Sequence, residues 1–245
     1  TKKLNDYNVK RQDIEKRIYE EAVKQIEERN LNKNNTIIVA GENWHHGVIG
    51  IVASKITEMY FKPSILLCNE GDESKGSGRS IPGFDLHDAL MKCLDHIEKF
   101  GGHSMAIGIT IKKSELEQFS QSLENVAKEE HTEEIVPIVQ IDAKISLSDI
   151  NKEMVESLNQ LEPFGEGNKM PIFVIKNLKI DSIRALTEGK HLKLTLREGN
   201  NMVNAIGFNM GSLAEEYKIG DKIDVAGMLE INSFNGVDSV QINLK

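Results

Sequence analysis

The amino-terminal pattern of apolar and polar positions predicts one long helix over residues 5–30. Ile14, Ile18, Ala22 and Ile26 recur every four residues, while glutamate, lysine and arginine fill the remaining positions. An apolar stripe of this kind needs a partner to pack against. Two partners are compatible with the pattern: a segment preceding this chain, or the domain that follows the helix.

Between residues 36 and 129, short apolar runs alternate with stretches of helical period. The first two runs and the helix between them form a βαβ unit, which favours parallel pairing of the two strands. The region therefore predicts an α/β domain, a mixed sheet with helices on its faces. Its predicted strands are 36–40, 64–68, 76–80 and 104–111, and its predicted helices are 47–60, 85–99 and one beginning at Ser114 with a capping box completed by Glu117.

The charged segment 130–137 is predicted to be a linker, and the period changes after it. A strand at 138–145 and a helix at 149–161, introduced by Ser148, precede a region that is nearly all strand. Five strands with a helical turn between the third and fourth is the order of an OB barrel. The predicted strands are 172–185, 191–197, 202–208, 222–231 and 237–244, and the turn is 212–217.

The full prediction is therefore a long linking helix, an α/β domain and an all-β OB-fold barrel. The corresponding domains are residues 1–34, 35–130 and 135–245. In the second barrel strand, three leucines face one way and polar or charged residues face the other. The leucines are Leu192, Leu194 and Leu196, and the opposite set is His191, Lys193, Thr195 and Arg197.

The overall charge argues against binding of nucleic acid by bulk attraction, because 245 residues carry a net charge of -8 and the pI is about 5.5. Positive charge is local instead: residues 171–210 contain six basic against three acidic residues. No apolar stretch is long enough to span a bilayer, and no signal peptide is visible. Cys68 and Cys93 lie in apolar surroundings, which predicts buried reduced thiols and a cytoplasmic location.

The first candidate functional segment runs from Asn43 to Gly50, between a predicted strand and a helix. Free backbone N–H groups and the positive end of the helix dipole would face a ligand there, and His45 and His46 could bond a phosphate or carboxylate. The alternative is that Gly47 and Gly50 only allow close packing on the sheet, beside a polar loop.

The second segment is Gly76-Ser77-Gly78-Arg79-Ser80. Ser77 and Arg79 lie two apart on a strand and so project to the same side, where a hydroxyl and a guanidinium make a phosphate clamp. The alternative is a glycine–serine turn with one solvated arginine.

The third segment is Phe100-Gly101-Gly102-His103-Ser104. A glycine pair after a helix predicts a C-cap and a turn. His103 is either a satisfied structural histidine or a group that stabilises charge in phosphoryl transfer.

No metal site is evident in the sequence. Asp85, His87 and Asp88 come closest, but the aspartates fit a helix start, and Cys68 and Cys93 are not at zinc spacing. There is also no Walker loop and no nucleophile elbow. These absences argue against a metallonuclease that works independently.

The three segments, in this order and followed by an OB barrel, resemble the carboxy-terminal portion of the RecJ family, single-strand-specific 5′→3′ DNA exonucleases of the DHH phosphoesterase superfamily. The matching stretches begin Trp44-His45-His46-Gly47-Val48-Ile49-Gly50, Gly76-Ser77-Gly78-Arg79-Ser80 and Phe100-Gly101-Gly102-His103, with a fourth at Leu161-Glu162-Pro163-Phe164-Gly165. The resemblance covers nearly the whole chain. One departure is Lys55, where the family more often has arginine.

The resemblance implies that residues 36–130 form the DHH-associated domain and that a preceding DHH domain, absent here, binds Mn²⁺ or Mg²⁺. The fragment alone would then be inactive and would hold no metal. Ser77 and Arg79 would bind the DNA 5′ phosphate, and His103 would face the scissile phosphate. The other expected substrate-binding residues are Ser80, Gly101, Gly102, Trp44, His45 and His46.

The same resemblance implies that the barrel grips single-stranded DNA, with bases stacked on aromatic rings and phosphates on basic side chains. Phe208 and Phe234 are the candidate stacking platforms; a position in the core is the alternative favoured for Phe208, and Phe234, in the loop 232–236, is the better candidate. The expected barrel contacts are Arg184, Lys190, Lys193, Arg197 and Phe234. The intact protein would act in DNA repair and recombination as a monomer, with a single-strand-binding protein or a helicase as further partners and no membrane association.

Two alternatives remain open at this point. One is a DHH-type phosphodiesterase of short oligonucleotides or cyclic dinucleotides, although the long barrel region speaks against a small substrate. The other is a non-catalytic OB adaptor that binds a protein or single-stranded DNA.

Overall fold

A computed structural model describes residues 2–130, 137–165, 167–234 and 236–245. The chain divides into two compact units, residues 1–137 and 138–245. The predicted linker 130–137 falls mostly on residues 131–136, outside the described part. None of the described helices is long and apolar enough to cross a membrane.

The first unit contains a five-stranded mixed sheet in the order β1-β2-β3-β5-β4. β1 and β2 are parallel, as the sequence predicts, and the other neighbours are antiparallel. Its elements are α1 (Lys2–Glu28), β1 (Ile37–Glu42), α2 (His46–Tyr60), β2 (Ser64–Glu70), β3 (Glu73–Arg79), α3 (Leu86–Met91), β4 (Lys99–His103), β5 (Ala106–Lys112) and α4 (Leu116–Glu130).

Helices cover both faces of this sheet, so that two apolar layers form. On one face the stripe of α1 packs with α2 and β1, and Ile18, Ala22 and Ile26 are fully buried there. The partner of the stripe is therefore the domain that follows it. On the other face, Phe119 and Leu123 of α4 pack against the sheet together with α3.

The helix predicted over 85–99 is wrong beyond Met91. The chain turns there, and residues 99–103 form the edge strand β4, paired with β5 from Lys99↔Thr110 to His103↔Ala106. Leu94, which falls on the apolar inner face of a helix drawn over 85–99, is 48% exposed. The apolar spacing fits both structures, but only the strand supplies partners for the open edge of β5. Gly101 and Gly102 therefore lie in a hairpin strand rather than in a helix C-cap.

The second unit is a closed barrel with strand order β7-β8-β9-β11-β10, in which β10 also pairs with β7. β9 and β11 are parallel, and the other barrel pairs are antiparallel. This confirms the predicted OB fold. The elements are β6 (Ala143–Lys144), α5 (Lys152–Asn159), β7 (Phe173–Leu186), β8 (His191–Glu198), β9 (Asn201–Gly207), α6 (Leu213–Glu216), β10 (Lys222–Phe234) and β11 (Val237–Leu244).

The alternation predicted for β8 is confirmed. Leu192, Leu194 and Leu196 are buried in the barrel, and the intervening residues are partly exposed on its outer surface. The outer face of β7, β8 and β9 is thus free to carry polar and charged groups.

Three element boundaries differ from the prediction. The strand predicted over 138–145 is reduced to β6, and just before it Asp142 donates its N–H to the Ile172 carbonyl and accepts the Ile172 N–H on its carboxylate. α5 begins after Asn151, whose side chain accepts a hydrogen bond from Met154 N at 2.8 Å, and not after Ser148. A 3₁₀ turn over Lys113–Glu115 precedes α4, and its N-cap residue makes no side-chain capping bond, so the capping box does not start that helix.

Candidate nucleic-acid interface

The register of β3, β5 and β4 places the second and third sequence motifs side by side. Ser77 lies opposite Gly108, which lies opposite Gly101. Directly opposed residues of antiparallel strands point to the same face of a sheet. These three residues therefore form one row across the sheet, with glycine at two of its three positions.

A second row runs parallel to the first. Arg79 lies opposite Ala106, which lies opposite His103. Two strand spacings separate Arg79 from His103, so their Cα atoms are about 10 Å apart. The sheet surface between them carries only Gly108, Gly101 and Ala106 at the facing positions. We call these two rows the glycine floor; it is open to a ligand, and a Cβ added to Gly101 would meet no atom within 4 Å.

Ser77 and Arg79 form one unit at the α2 side of the glycine floor. Arg79 Nη1 donates to Ser77 Oγ at 3.0 Å and to the Gly78 carbonyl at 2.8 Å. Gly50 of α2 makes room for the pair, because a Cβ there would lie 3.1 Å from both Arg79 Nη2 and Ser77 Oγ. Within the described ranges no carboxylate pairs with Arg79. Its charge is therefore available to an anion, as the clamp prediction requires.

His103 ends β4 at the far side of the glycine floor and is exposed. Its Nδ1 accepts the Met105 N–H at 3.3 Å, while Nε2 has no protein partner among the described residues. Gly102 shapes the hairpin: its φ is +143°, and a Cβ would lie 2.2 Å from the Ala106 carbonyl oxygen. Gly102 thus contributes backbone geometry, and His103 contributes an accessible imidazole.

A third row extends the same face toward Lys99. Lys75 lies opposite Thr110, which lies opposite Lys99. Lys75 is engaged by Glu73 at 3.2 Å and Glu70 at 3.6 Å, and these bonds raise the pKa of Lys75. Lys99 is exposed, and the described residues include no carboxylate partner for it. Sequence analysis missed Lys99, because only the register shows that it shares a face with Arg79.

Trp44 does not line the glycine floor. The indole is 3% exposed within the α1–α2 layer, and its Nε1 donates to Glu21 Oε2 at 2.7 Å. The expectation that Trp44 contacts substrate is therefore wrong for its side chain. The large apolar ring is buried although its neighbours in the motif are polar, because burial of an indole is strongly favourable. Trp44 therefore anchors the loop before α2.

His45 and His46 lie at the N-terminus of α2, and each has a partner in the fold. His45 Nδ1 accepts the Gly47 N–H and caps α2, and His46 Nε2 is 2.6 Å from Glu70 Oε1 at the end of β2. Glu70 pairs with Glu73, which stands four residues, or about 13 Å, along β3 from Ser77. The predicted phosphate site at the N-terminus of α2 is thus separate from the clamp, and one of its two imidazoles is already paired.

Ser80 is a structural residue in this fold. It is buried, and its Oγ donates to the Phe84 carbonyl at 2.8 Å. Since that hydroxyl is committed to the turn before α3, the expected contact between Ser80 and substrate is not supported by its placement.

Lys55, the departure from the family pattern, lies on α2 and faces α1. Its Nζ contacts Glu15, which is buried and also accepts from Arg11 at 2.5 Å. The hydrogen bond from Lys55 is the main cause that lowers the pKa of Glu15, against the opposing effect of burial. Lys55 therefore links α1 to α2 through one ion pair with Glu15, an interaction for which a single ammonium charge suffices.

On the barrel, the outer face of β7 and β8 brings two predicted DNA contacts together. Arg184 lies directly opposite Lys193, and neither pairs with a carboxylate in the described part of the chain. Lys190 is exposed in the turn between the two strands. These three cations form a local basic surface, as the charge count of residues 171–210 indicates.

Arg197 differs from the other predicted cations. Its guanidinium bonds Asp181 Oδ2 at 2.5 Å and contacts Met202 Sδ at 3.0 Å. A bulge in β7 brings Asp181 to this position, so its charge compensates that of Arg197. Arg197 therefore offers DNA less uncompensated charge than Arg184 or Lys193, and its contact with DNA stays a prediction.

An aromatic pair, His191 and Phe208, lies next to the basic surface. Phe208 is 51% exposed rather than in the core, and its ring meets His191 edge to face with centroids 5.3 Å apart. Gly207 ends β9, which carries Phe208 past the barrel wall to the outer side. The side chain of Phe234, the predicted platform, lies outside the described part of the structure.

The residues present do not fit a Mn²⁺ or Mg²⁺ centre. Such ions take several oxygen ligands. Among the described residues, one group of three His, Cys, Asp or Glu ligand atoms lies close together, and it includes the buried thiol of Cys68 beside His46 and Glu70. A thiolate suits softer metals, so no step of a Mn²⁺ or Mg²⁺ reaction is assigned to this chain.

Comparison with known proteins agrees with the two-unit architecture. The DHHA1 domain family model matches residues 33–129, and the RecJ OB domain family model matches residues 141–245. The chain is therefore a DHHA1 domain followed by an OB domain.

It belongs to the RecJ family, whose carboxy-terminal portion it matches. The single-stranded-DNA-specific exonuclease RecJ of Bacillus subtilis strain 168 is 33% identical over 246 residues, which cover 99% of this chain and 31% of that protein. RecJ of Salmonella typhimurium strain LT2 is 30% identical over 256 residues, covering 98% of this chain and 43% of the relative. The chain thus spans less than half the length of these relatives.

A solved structure supports the same assignment. The crystal structure of RecJ in complex with Mn²⁺ from Thermus thermophilus superimposes with a TM-score of 0.80 at 26% identity, covering 99% of this chain and 34% of that one. The resemblance drawn from the sequence motifs is confirmed.

Proposed function

We propose that this chain is the substrate-binding part of a 5′→3′ single-stranded-DNA exonuclease that acts in DNA repair and recombination. The observation that carries the proposal is the glycine floor, which presents Arg79 with Ser77 at one side and His103 at the other. The three motif residues lie on one face of one sheet, although 26 residues of sequence separate Ser77 from His103.

Ser77 and Arg79 bind the 5′ phosphate. A guanidinium held by a serine hydroxyl and a backbone carbonyl is oriented before the ligand arrives, and it offers further N–H donors to phosphate oxygens. Glycines on the floor let the sugar–phosphate backbone approach the sheet closely. This arrangement selects a terminal phosphate, and the selection sets the polarity of digestion.

His103 lies about 10 Å across the floor, next to the position of the following phosphodiester. Its exposed Nε2 donates to a phosphate oxygen and stabilises charge that develops there. Removal of this donor would slow cleavage more than it weakens binding. The divalent metal ions, Mn²⁺ or Mg²⁺, belong to a domain outside these residues, so the chain alone is expected to leave 5′-phosphorylated DNA intact when Mn²⁺ is added.

The barrel holds the strand further from its 5′ end. Arg184, Lys190 and Lys193 contact phosphates, and Phe208 with His191 offers a stacking surface. Binding of this kind is salt-dependent, because each neutralised phosphate releases counterions. A basic and aromatic outer face of this size favours a long strand over a cyclic dinucleotide.

Fluorescence anisotropy with matched 5′-phosphate and 5′-hydroxyl oligonucleotides tests the proposal. Arg79→Ala should abolish the preference for the 5′ phosphate, and Arg79→Lys should restore only part of it, since a point charge lacks the guanidinium fork. Arg29→Ala is the matched control: it removes one exposed cation of the same unit away from the floor and should keep the preference. Equal affinity of the unmodified chain for both oligonucleotides contradicts the proposal and favours the adaptor alternative.

Further expectations belong to the proposal. The cytoplasmic location follows from the two cysteines in apolar surroundings, and the boundaries 1–34, 35–130 and 135–245 follow from the pattern along the chain. The monomeric state and the single-strand-binding protein or helicase partner rest on the resemblance. Each stays a prediction, and size-exclusion chromatography with light scattering tests the monomer directly.

A further inference from the structure

A second ligand-type cluster lies in the first unit, away from the clamp. A ring nitrogen of His46, the Sγ of Cys68 and a carboxylate oxygen of Glu70 all lie within 4.8 Å of one another. The three atoms come from two segments that are separated in sequence by more than twenty residues but adjacent in space.

The fold itself brings the cluster together. Cys68 and Glu70 are two apart on β2, so both face α2. His46 is the first residue of α2, and the βαβ connection places that end of the helix beside the carboxyl end of β2. Trp44, buried just before His46, fixes the approach of this loop.

The donor set is mixed in a way that suits zinc. One imidazole nitrogen, one thiolate sulfur and one carboxylate oxygen are the three ligand types that Zn²⁺ takes, with a fourth tetrahedral position left for water. Ca²⁺ and Mg²⁺ favour oxygen only. We propose that His46, Cys68 and Glu70 form a binding site for Zn²⁺ or a comparable borderline-soft divalent ion.

Binding requires one proton to leave. Cys68 is 2% exposed and donates its S–H to the Trp44 carbonyl at 2.8 Å, and burial raises the pKa of this thiol. On binding, the metal–sulfur bond replaces the S–H bond and the proton passes to solvent. His46 and Glu70 already face each other at 2.6 Å, so they bind by exchanging that contact for bonds to the same ion.

Binding of Co²⁺ as a spectroscopic substitute for Zn²⁺ tests the site, with the untagged 245-residue chain. We expect one ion per chain, a near-ultraviolet sulfur-to-cobalt charge-transfer band, and displacement of Co²⁺ by Zn²⁺. Cys68→Ser should remove the band. Cys93→Ser is the matched control and should retain it, because Cys93 is buried in the apolar layer on the other face of the sheet.

His46→Ala and Glu70→Gln alter exposed side chains and keep the test valid if the Cys68 variant fails to fold. Each should weaken Zn²⁺ binding by more than the 10–100-fold that loss of an outer-shell partner costs. Absence of a charge-transfer band in the unmodified chain overturns the proposal. So does a band that survives in Cys68→Ser, or affinity unchanged in both His46→Ala and Glu70→Gln. The assay contains no DNA, so its outcome is independent of the proposed nuclease function.

Discussion

Substitution of Gly108 by valine should raise the stability of the fold and weaken DNA binding, because Gly108 lies in the middle of the glycine floor. Gly108 is exposed in the middle of β5, between Ser77 and Gly101, and a Cβ there would meet only the Gly76 carbonyl oxygen, at 4.0 Å. Since the added side chain meets no close neighbour, the fold should accept it.

The expected gain in stability comes from the strand itself. Glycine in a strand is less favourable than alanine by about 0.5–1 kcal/mol, and a β-branched residue suits a strand better still. The free energy of unfolding should therefore rise by about 1 kcal/mol, which raises Tm by about 2–6 °C for a unit of this size.

DNA binding should change in the opposite direction. A valine at position 108 occupies the floor across which the strand must pass from Arg79 to His103. We expect affinity for 5′-phosphorylated single-stranded DNA to fall at least tenfold, or about 1.4 kcal/mol. Gly108→Ala should give a smaller loss in the same direction.

Thermal unfolding and fluorescence anisotropy on the same samples measure the two effects. A Gly108→Val variant that is folded and binds DNA with unchanged affinity would refute the placement of DNA on this face. A variant that loses both stability and binding would refute the claim that the floor is empty.

Three further substitutions test other parts of the structure. Glu15→Gln should lower the free energy of unfolding by about 1–2 kcal/mol at neutral pH through loss of its charged bond to Lys55. Because folding lowers the pKa of Glu15 from its ordinary 4.5, this stabilisation is present above the unfolded pKa and is lost as pH falls through the lower folded pKa. In chemical denaturation, the difference between the two proteins should shrink as pH falls below 4.5, and a difference that is constant with pH would contradict the reasoning. Phe208→Ala should weaken oligonucleotide binding by the ~1–3 kcal/mol of one stacked base without lowering Tm, and unchanged anisotropy titrations would remove Phe208 from the interface. Gly102→Ala should destabilise the first unit by ~2–3 kcal/mol because of its φ and its contact with Ala106. Gly101→Ala should instead leave the midpoint of urea unfolding unchanged or raise it slightly, since an added Cβ there meets no atom, and equal effects of the two substitutions would count against the hairpin geometry.

The sequence predicts the architecture well because its periodic signals are strong. The four-residue spacing of Ile14, Ile18, Ala22 and Ile26 and the leucine alternation of β8 each have one structural solution. It fails over 92–103, where the same apolar spacing suits a helix and a strand. Residues 99–103 form a strand because they pair with the open edge of β5, which comes later in the chain.

The site was predictable as a set of motifs but not as an arrangement. Ser77, Arg79 and His103 were recognised from their neighbours, and strand register brings them to one face. Trp44 is buried although its motif predicts a substrate contact, and Phe208, for which the sequence leaves a core position and a stacking platform open, is exposed. Aromatic residues suit both cores and binding surfaces, so only tertiary packing distinguishes the two.

His46, Cys68 and Glu70 show the same limit for metal ligands. Sequence signatures of zinc sites depend on short fixed spacings, and here the ligands are 22 and 2 residues apart. Their proximity follows from a parallel strand pair and the helix that joins it, which no local pattern encodes.

Ser77 and Arg79 lie on β3 and His103 lies on β4, and backbone hydrogen bonds through β5 hold these residues at a fixed separation. The distance between Arg79 and His103 is therefore set by the pairing of β3, β5 and β4 and not by the side chains around them. A single-residue insertion at Ser104–Met105, in the hairpin between β4 and β5, would shift the β4–β5 register by one residue and turn His103 to the opposite side of the sheet from Arg79. In engineering, strands β3, β5 and β4 could be transferred as one unit that keeps Arg79 and His103 at a fixed distance, provided that the length of the β4–β5 hairpin is unchanged.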